Sequence, residues 1–167
     1  MNFEKLNTLK GFMPEHEGLA LTKWAEEFSL YGPALEIGTF GAKSALYIAA
    51  GSSINNQLVY TIDHHSGSEE HQLGEEYFDP DIYDKKLGRV NTVPLMQANL
   101  QQFEESKWVV PILANANFAS LKPWSAADLN ILAAASKLSS RSKLPNASSS
   151  SEYSGSSPAL SWYIMPI

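Results

Sequence analysis

Three short stretches of this 167-residue sequence carry side chains able to bind and activate a small molecule: Glu36, the turn Gly38-Thr39-Phe40-Gly41, and Asp63 followed by His64 and His65. Glu36 offers a carboxylate to a cationic group such as an α-amine. Gly38 and Gly41 let a backbone bend tightly and approach a ligand without a Cβ in the way. A helix opening at Ala42 would aim its free amides at negative groups. An acid ending a strand, as Asp63 is expected to do, can accept hydrogen bonds from both hydroxyls of a ribose. His64, His65 and His71 are candidate bases. Asp63 with the three imidazoles has donor types that suit several divalent ions, but the spacing follows no regular ligand pattern, and no metal is assigned.

These residues need elements to hold them. Leu21, Trp24, Ala25 and Phe28 recur at i, i+3, i+4 and i+7, which predicts an amphipathic helix within 19–30. Pro14, Glu15 and Glu17 suit its first turn, and Gly32-Pro33 ends it. Ala34-Leu35-Glu36-Ile37 reads as a short buried strand, Ala42 to Ala50 as a helix, and Leu58 to Ile62 as a second strand stopping at Asp63. This is a βαβ unit with two parallel neighbouring strands. From His64 to Gly88 charges, rings and turn formers follow no period, which predicts a long functional loop. Val93, Met96, Leu100 and Phe103 return to helical spacing, and Val109 to Leu113 reads as the next strand, with Pro111 arguing against a central position. Trp108 and Trp124 flank the expected strands, where packing is the favoured use and stacking on an adenine ring the other.

Composition removes several classes. Twelve Lys and Arg against eighteen Asp and Glu give a net charge of -6, so no positive field exists to hold a nucleic-acid backbone. Without cysteine there is no disulfide, thiolate zinc site or Cys nucleophile. No run of eighteen apolar residues and no signal-peptide pattern appears, so the expectation is a cytoplasmic protein that does not enter membranes. A glycine turn alone is weak. A Walker cradle is excluded because Ala42 separates Gly41 from Lys43-Ser44, and a nicotinamide fingerprint lacks its third glycine.

Gly11-Phe12-Met13-Pro14-Glu15-His16-Glu17-Gly18, Leu35-Glu36-Ile37-Gly38-Thr39-Phe40-Gly41-Ala42-Lys43-Ser44-Ala45 and Ile62-Asp63-His64-His65-Ser66-Gly67-Ser68-Glu69-Glu70-His71-Gln72 resemble successive motifs of a class I S-adenosylmethionine-dependent methyltransferase family. Glu76-Tyr77-Phe78-Asp79-Pro80 fits the same pattern, and the resemblance spans about residues 10 to 129. It implies an α/β, Rossmann-like fold and S-adenosylmethionine as cofactor. It further implies Glu36, Gly38, Thr39, Phe40, Gly41, Ser44, Asp63 and His64 as cofactor contacts and a small-molecule acceptor; of the candidate bases, His64 and His65, which follow Asp63, are assigned the catalytic role. A non-catalytic cofactor-binding or interaction fragment and a nicotinamide-dependent oxidoreductase are the competing readings.

The resemblance stops after a strand matched to Ala127-Asp128-Leu129, where an Asp-Gly-Gly-His type ending is expected and Asn130-Ile131-Leu132-Ala133-Ala134-Ala135-Ser136 stands instead. Residues 129 to 167 hold one carboxylate, Glu152, and twelve serines lie between Ser136 and Ser161, a composition unable to bury enough apolar surface to offset the entropy of ordering it. The expectation is a domain over 1–129, incomplete at its C-terminal side after a shift of reading frame near residue 130. A poorly ordered tail over 130–167 follows, within which Leu160 to Ile167 could add an edge strand.

Overall fold

The computed structural model describes residues 1–115 together with the backbone of two later strands, Asn130–Ala133 and Tyr163–Ile164. Helix α1 (Phe3–Asn7) is capped by Asn2, whose side chain accepts from the Lys5 amide at 3.0 Å. Helix α2 (Glu15–Phe28) begins after Pro14 with Glu15 and Glu17 in its first turn, four residues earlier than the apolar spacing alone indicated. Strand β1 (Ala34–Ile37), helix α3 (Lys43–Ser52) and strand β2 (Val59–Asp63) form the first βαβ unit. A hairpin of β3 (Tyr83–Asp84) and β4 (Arg89–Val90), helix α4 (Val93–Leu100) and strand β5 (Val109–Leu113) follow. The later strands are β6 (Asn130–Ala133) and β7 (Tyr163–Ile164).

The main sheet runs β5-β2-β1-β6-β7. β2 is parallel to both β1 and β5, β6 is parallel to β1, and β7 is antiparallel to β6. The strand expected at Ala127 to Leu129 lies outside the described residues, while Asn130–Ala133 pairs in parallel with β1, so the sheet continues past residue 129. Tyr163–Ile164 takes the edge position anticipated for the end of the chain. Trp124 and, apart from the backbone of these two strands, the tail expected to be poorly ordered over 130–167 lie outside the described residues.

Side chains alternate between sheet faces. Ala34, Val59 and Val109 share one face with buried residues of all four helices, including Leu6, Leu21, Ala25, Leu46 and Met96, while Leu35 and Ile62 nucleate a smaller cluster on the other. Trp24 and Trp108 pack against the larger core, the packing use expected of them. Pro111 sits in the outermost described strand. Ala114 donates to the Asp63 carbonyl at 3.0 Å, and the two-residue alternation of the strand then turns the Pro111 nitrogen away from β2.

The closest packing in the core is between α2 and α3, and glycine permits it. A Cβ on Gly18 would lie 2.4 Å from the Tyr47 ring, and one on Gly51 2.1 Å from the Thr22 carbonyl oxygen. Thr22 reinforces the crossing by donating to the Tyr47 carbonyl at 2.9 Å. Gly51→Ala should force these backbones apart and lower stability by about 1 to 3 kcal/mol, the usual cost of overpacking. Urea unfolding would measure it, and an unchanged midpoint would show that the helices separate freely.

Candidate functional site

The site residues gather at the carboxyl ends of β1 and β2. The parallel register sets Glu36 beside Thr61 on the helix-covered face, where both are fully buried. The Thr61 hydroxyl donates to Glu36 Oε2 at 2.5 Å, and Thr39 Oγ1 lies 2.6 Å from Thr61 Oγ1. With Thr61's single hydroxyl hydrogen committed to the carboxylate, Thr39 must donate to Thr61. Glu36 Oε1 is buried and has no hydrogen-bond partner among the described residues. Burial raises the Glu36 carboxyl from an ordinary 4.5 to about 7, with the negative charge of Asp63 adding to the effect while the hydroxyls of Ser44 and Thr61 oppose it.

After β1 the chain turns through left-handed backbone at Gly38 (φ 100°), Phe40 (φ 46°) and Ala42 (φ 64°). Only the first is free of a Cβ, so the turn is held against steric preference. Asp63 supplies much of that hold. Its Oδ2 accepts from the Phe40 amide at 2.8 Å and its Oδ1 from the His65 amide at 2.7 Å, tying the glycine turn to the loop that follows β2. Each oxygen retains a second lone pair. Gly38 adds a third link by donating to the Ile62 carbonyl at 2.8 Å.

Gly41 serves a different purpose from the ligand approach expected of it. Its backbone is not left-handed, and a Cβ there would meet Asn99 Nδ2 at 3.1 Å and the Leu95 side chain at 3.2 Å. The small residue is needed by α4, whose Asn99 donates to the Gly41 carbonyl at 2.8 Å. Thr39 likewise turns its side chain into the protein, leaving its backbone for the turn. Ser44, in the first turn of α3, reaches the field of Glu36. Ala42 gives that helix no side-chain cap.

The three histidines fall into different surroundings. His64 is exposed, and its Nδ1 accepts from the Ser66 amide at 3.0 Å. His65 is buried with φ 57°, its Nδ1 lies 2.7 Å from Thr92 Oγ1, and its carbonyl accepts from the Thr92 amide, so the residue fastens the loop to the start of α4. Its Nε2 is buried and makes no hydrogen bond, and burial lowers the imidazole's pKa. His71 Nδ1 lies 2.7 Å from Ser68 Oγ.

The long stretch from 64 to 88 is ordered by local bonds. The Gln72 side-chain amide donates to the Ser66 and Ser68 carbonyls, and Asp84 accepts from the amides of Lys86 and Leu87. Lys10 reaches across to this stretch and pairs with Asp79 at 2.6 Å and Asp81 at 2.8 Å. The pairing raises the Lys10 pKa and lowers that of Asp79. Next to Lys10 a row of rings leads away from the glycine turn. Phe40 and Phe12 centroids are 5.5 Å apart, Phe12 and His71 6.0 Å, His71 and Tyr77 6.4 Å.

Glu36, Gly38, Phe40, Ser44 and Asp63 are thus brought together, Thr39 and Gly41 take part through the backbone and through packing, and His64 stands at the exposed rim. Thr61, Thr92 and Asn99 were not anticipated. Thr61 had a sequence signal, since it lies two residues before Asp63 and so shares its sheet face; Asn99 had none. Among the described residues no three His, Asp or Glu side chains converge to hold a metal, and no helix is long and apolar enough to cross a membrane. The sequence matches no model of a known protein family.

Proposed function

We propose that this chain is a Rossmann-like, cytoplasmic protein that binds S-adenosylmethionine at the β1 and β2 ends and transfers its methyl group to a small-molecule acceptor. The observation that carries the reading is the Glu36 carboxyl. It is fully buried and, among the described residues, has no basic partner and keeps one oxygen without a hydrogen bond beside a glycine turn. A buried carboxylate in that state is costly unless a cation meets it, and the α-ammonium of a methionine moiety is such a cation. The strand order supports the same reading. Counted along the chain, the parallel strands stand 3-2-1-4, and ligands of such sheets bind outside the carboxyl ends near the reversal of order.

When bound, the sulfonium supplies a methyl already activated for transfer, so the protein's task is orientation. Glu36 takes the ammonium, with Thr61 and Thr39 fixing its other oxygen. The left-handed turn from Gly38 presents backbone rather than side chain to the ligand. Asp63 uses its remaining lone pairs for the ribose hydroxyls while its bonds to the Phe40 and His65 amides keep both walls in place. His64, exposed at the rim, is a proton acceptor on the ligand side.

Titration calorimetry with S-adenosylhomocysteine tests the reading. Micromolar binding is expected, and NADH binding in its place would transfer the site to the oxidoreductase class. Gly38→Val should abolish the binding, because the left-handed backbone strains any residue with a Cβ and the branched side chain occupies the approach. Normal affinity in that variant would show that no ligand comes close to the turn.

A further inference from the structure

Resting on the methyl-transfer reading, we infer that the acceptor is an arylalkylamine, bound as its cation on the ring row Phe12, His71 and Tyr77 and drawn there by the carboxylates of the 64–84 loop. Phe12 is 61 % exposed and Tyr77 37 % exposed. Exposed rings are ordinary on loops, but Phe12 is anchored on both sides. Lys10, two residues before it, is pinned to Asp79 and Asp81, and Met13 after it packs against the core. A ring held in place yet open on one side contributes contact area with little further loss of freedom on binding. The row starts at Phe40, within the turn assigned to the cofactor, so a ligand lying on Phe12 is next to the methyl donor.

Charge selects among ligands that rings would hold. Between His64 and Asp84 the chain has seven Asp and Glu and no Lys or Arg. Lys10 answers Asp79 and Asp81, while Glu69, Glu70, Glu75 and Glu76 enter no ion pair among the described residues. Such a field favours a cation and repels a carboxylate, and ring faces attract a cation as well. Ser68 holds His71 Nδ1, and with the hydrogen on that nitrogen Nε2 is left as a proton acceptor. The chemistry balances without another reagent. The ammonium gives one proton to His71 Nε2, the freed nitrogen lone pair forms the N–CH3 bond, and the former S–CH3 pair stays on sulfur, which becomes a neutral thioether.

The full chain, first titrated with S-adenosylhomocysteine and kept saturated with it, is then titrated with 2-phenylethylamine, 2-phenylethanol and phenylacetate. The amine is expected to bind at least tenfold more tightly than the alcohol, phenylacetate least, and Phe12→Ala to weaken the amine about tenfold with cofactor affinity unchanged. His71→Asn removes both a ring and the proton acceptor, and should lower the rate of N-methylation, measured with labelled S-adenosylmethionine at saturating amine, by more than it weakens amine binding. Equal affinity for alcohol and amine, or no effect of Phe12→Ala, overturns the acceptor assignment while the cofactor reading stands. Failure of the first titration removes the cofactor reading itself and the acceptor assignment with it.

Discussion

Replacing Glu36 by Gln is expected to stabilise the ligand-free protein at pH 8 while removing its affinity for S-adenosylhomocysteine. The sign follows from the raised pKa. Folding moves this carboxyl from 4.5 to about 7, so between those values the native chain holds a proton that the unfolded chain has released. Stability from this group is complete below 4.5 and declines as pH rises to about 7; above that the loss is constant. The shift corresponds to about 3 kcal/mol, of which Gln should restore a large part because it is never charged. A pH series of urea unfolding midpoints should show the wild type losing stability relative to the variant across this window. Parallel slopes would mean that Glu36 is solvated in the native state. Ligand binding should behave in the opposite sense, because a bound ammonium favours the ionised carboxylate. Calorimetry in buffers of different ionisation enthalpy at pH 6 should therefore detect proton release with the wild type, and neither heat nor proton release with the variant.

Asp63→Ala should reduce both stability and affinity, through separable causes. It strands the Phe40 and His65 amides, which costs roughly 2 to 4 kcal/mol if both are left without partners. It also removes the acceptor for the ribose hydroxyls, worth about 1 to 3 kcal/mol of affinity. Binding of S-adenosylhomocysteine and of its 2′,3′-dideoxy analogue to both proteins closes a double-mutant cycle. The wild type should lose affinity on removal of the hydroxyls, and the variant should not. If the two proteins discriminate equally, Asp63 shapes the turn without touching the ribose. Asp63→Asn keeps one acceptor oxygen and should recover part of the stability.

The short elements around the site were legible because each carried two concordant signals. β1 is a buried apolar run stopped by a glycine, and β2 a β-branched run stopped by an acid, so their ends and their parallel pairing could be read directly. The glycine turn was legible as a bend, but not in its parts. A Gly that needs a left-handed backbone and a Gly that makes room for a neighbour look identical in sequence, and only the position of α4 separates Gly38 from Gly41. His65 shows the same limit, since its neighbour His64 has the same residue type and adjoins the same acid, yet one ring is exposed and the other bonded to Thr92. The hairpin of β3 and β4 passed unseen because two residues per strand are too few to show a period.

Pro111 has a bearing on how the protein behaves at high concentration. Among the described residues the outer rim of β5 pairs with no strand, and it is there that a strand from another molecule would try to join the sheet. At its middle position that newcomer meets a ring and finds no hydrogen to accept, so the ladder cannot be extended there. Pro111→Val should bring back the missing donor and, with it, a tendency to form fibrous or soluble aggregates that light scattering would register.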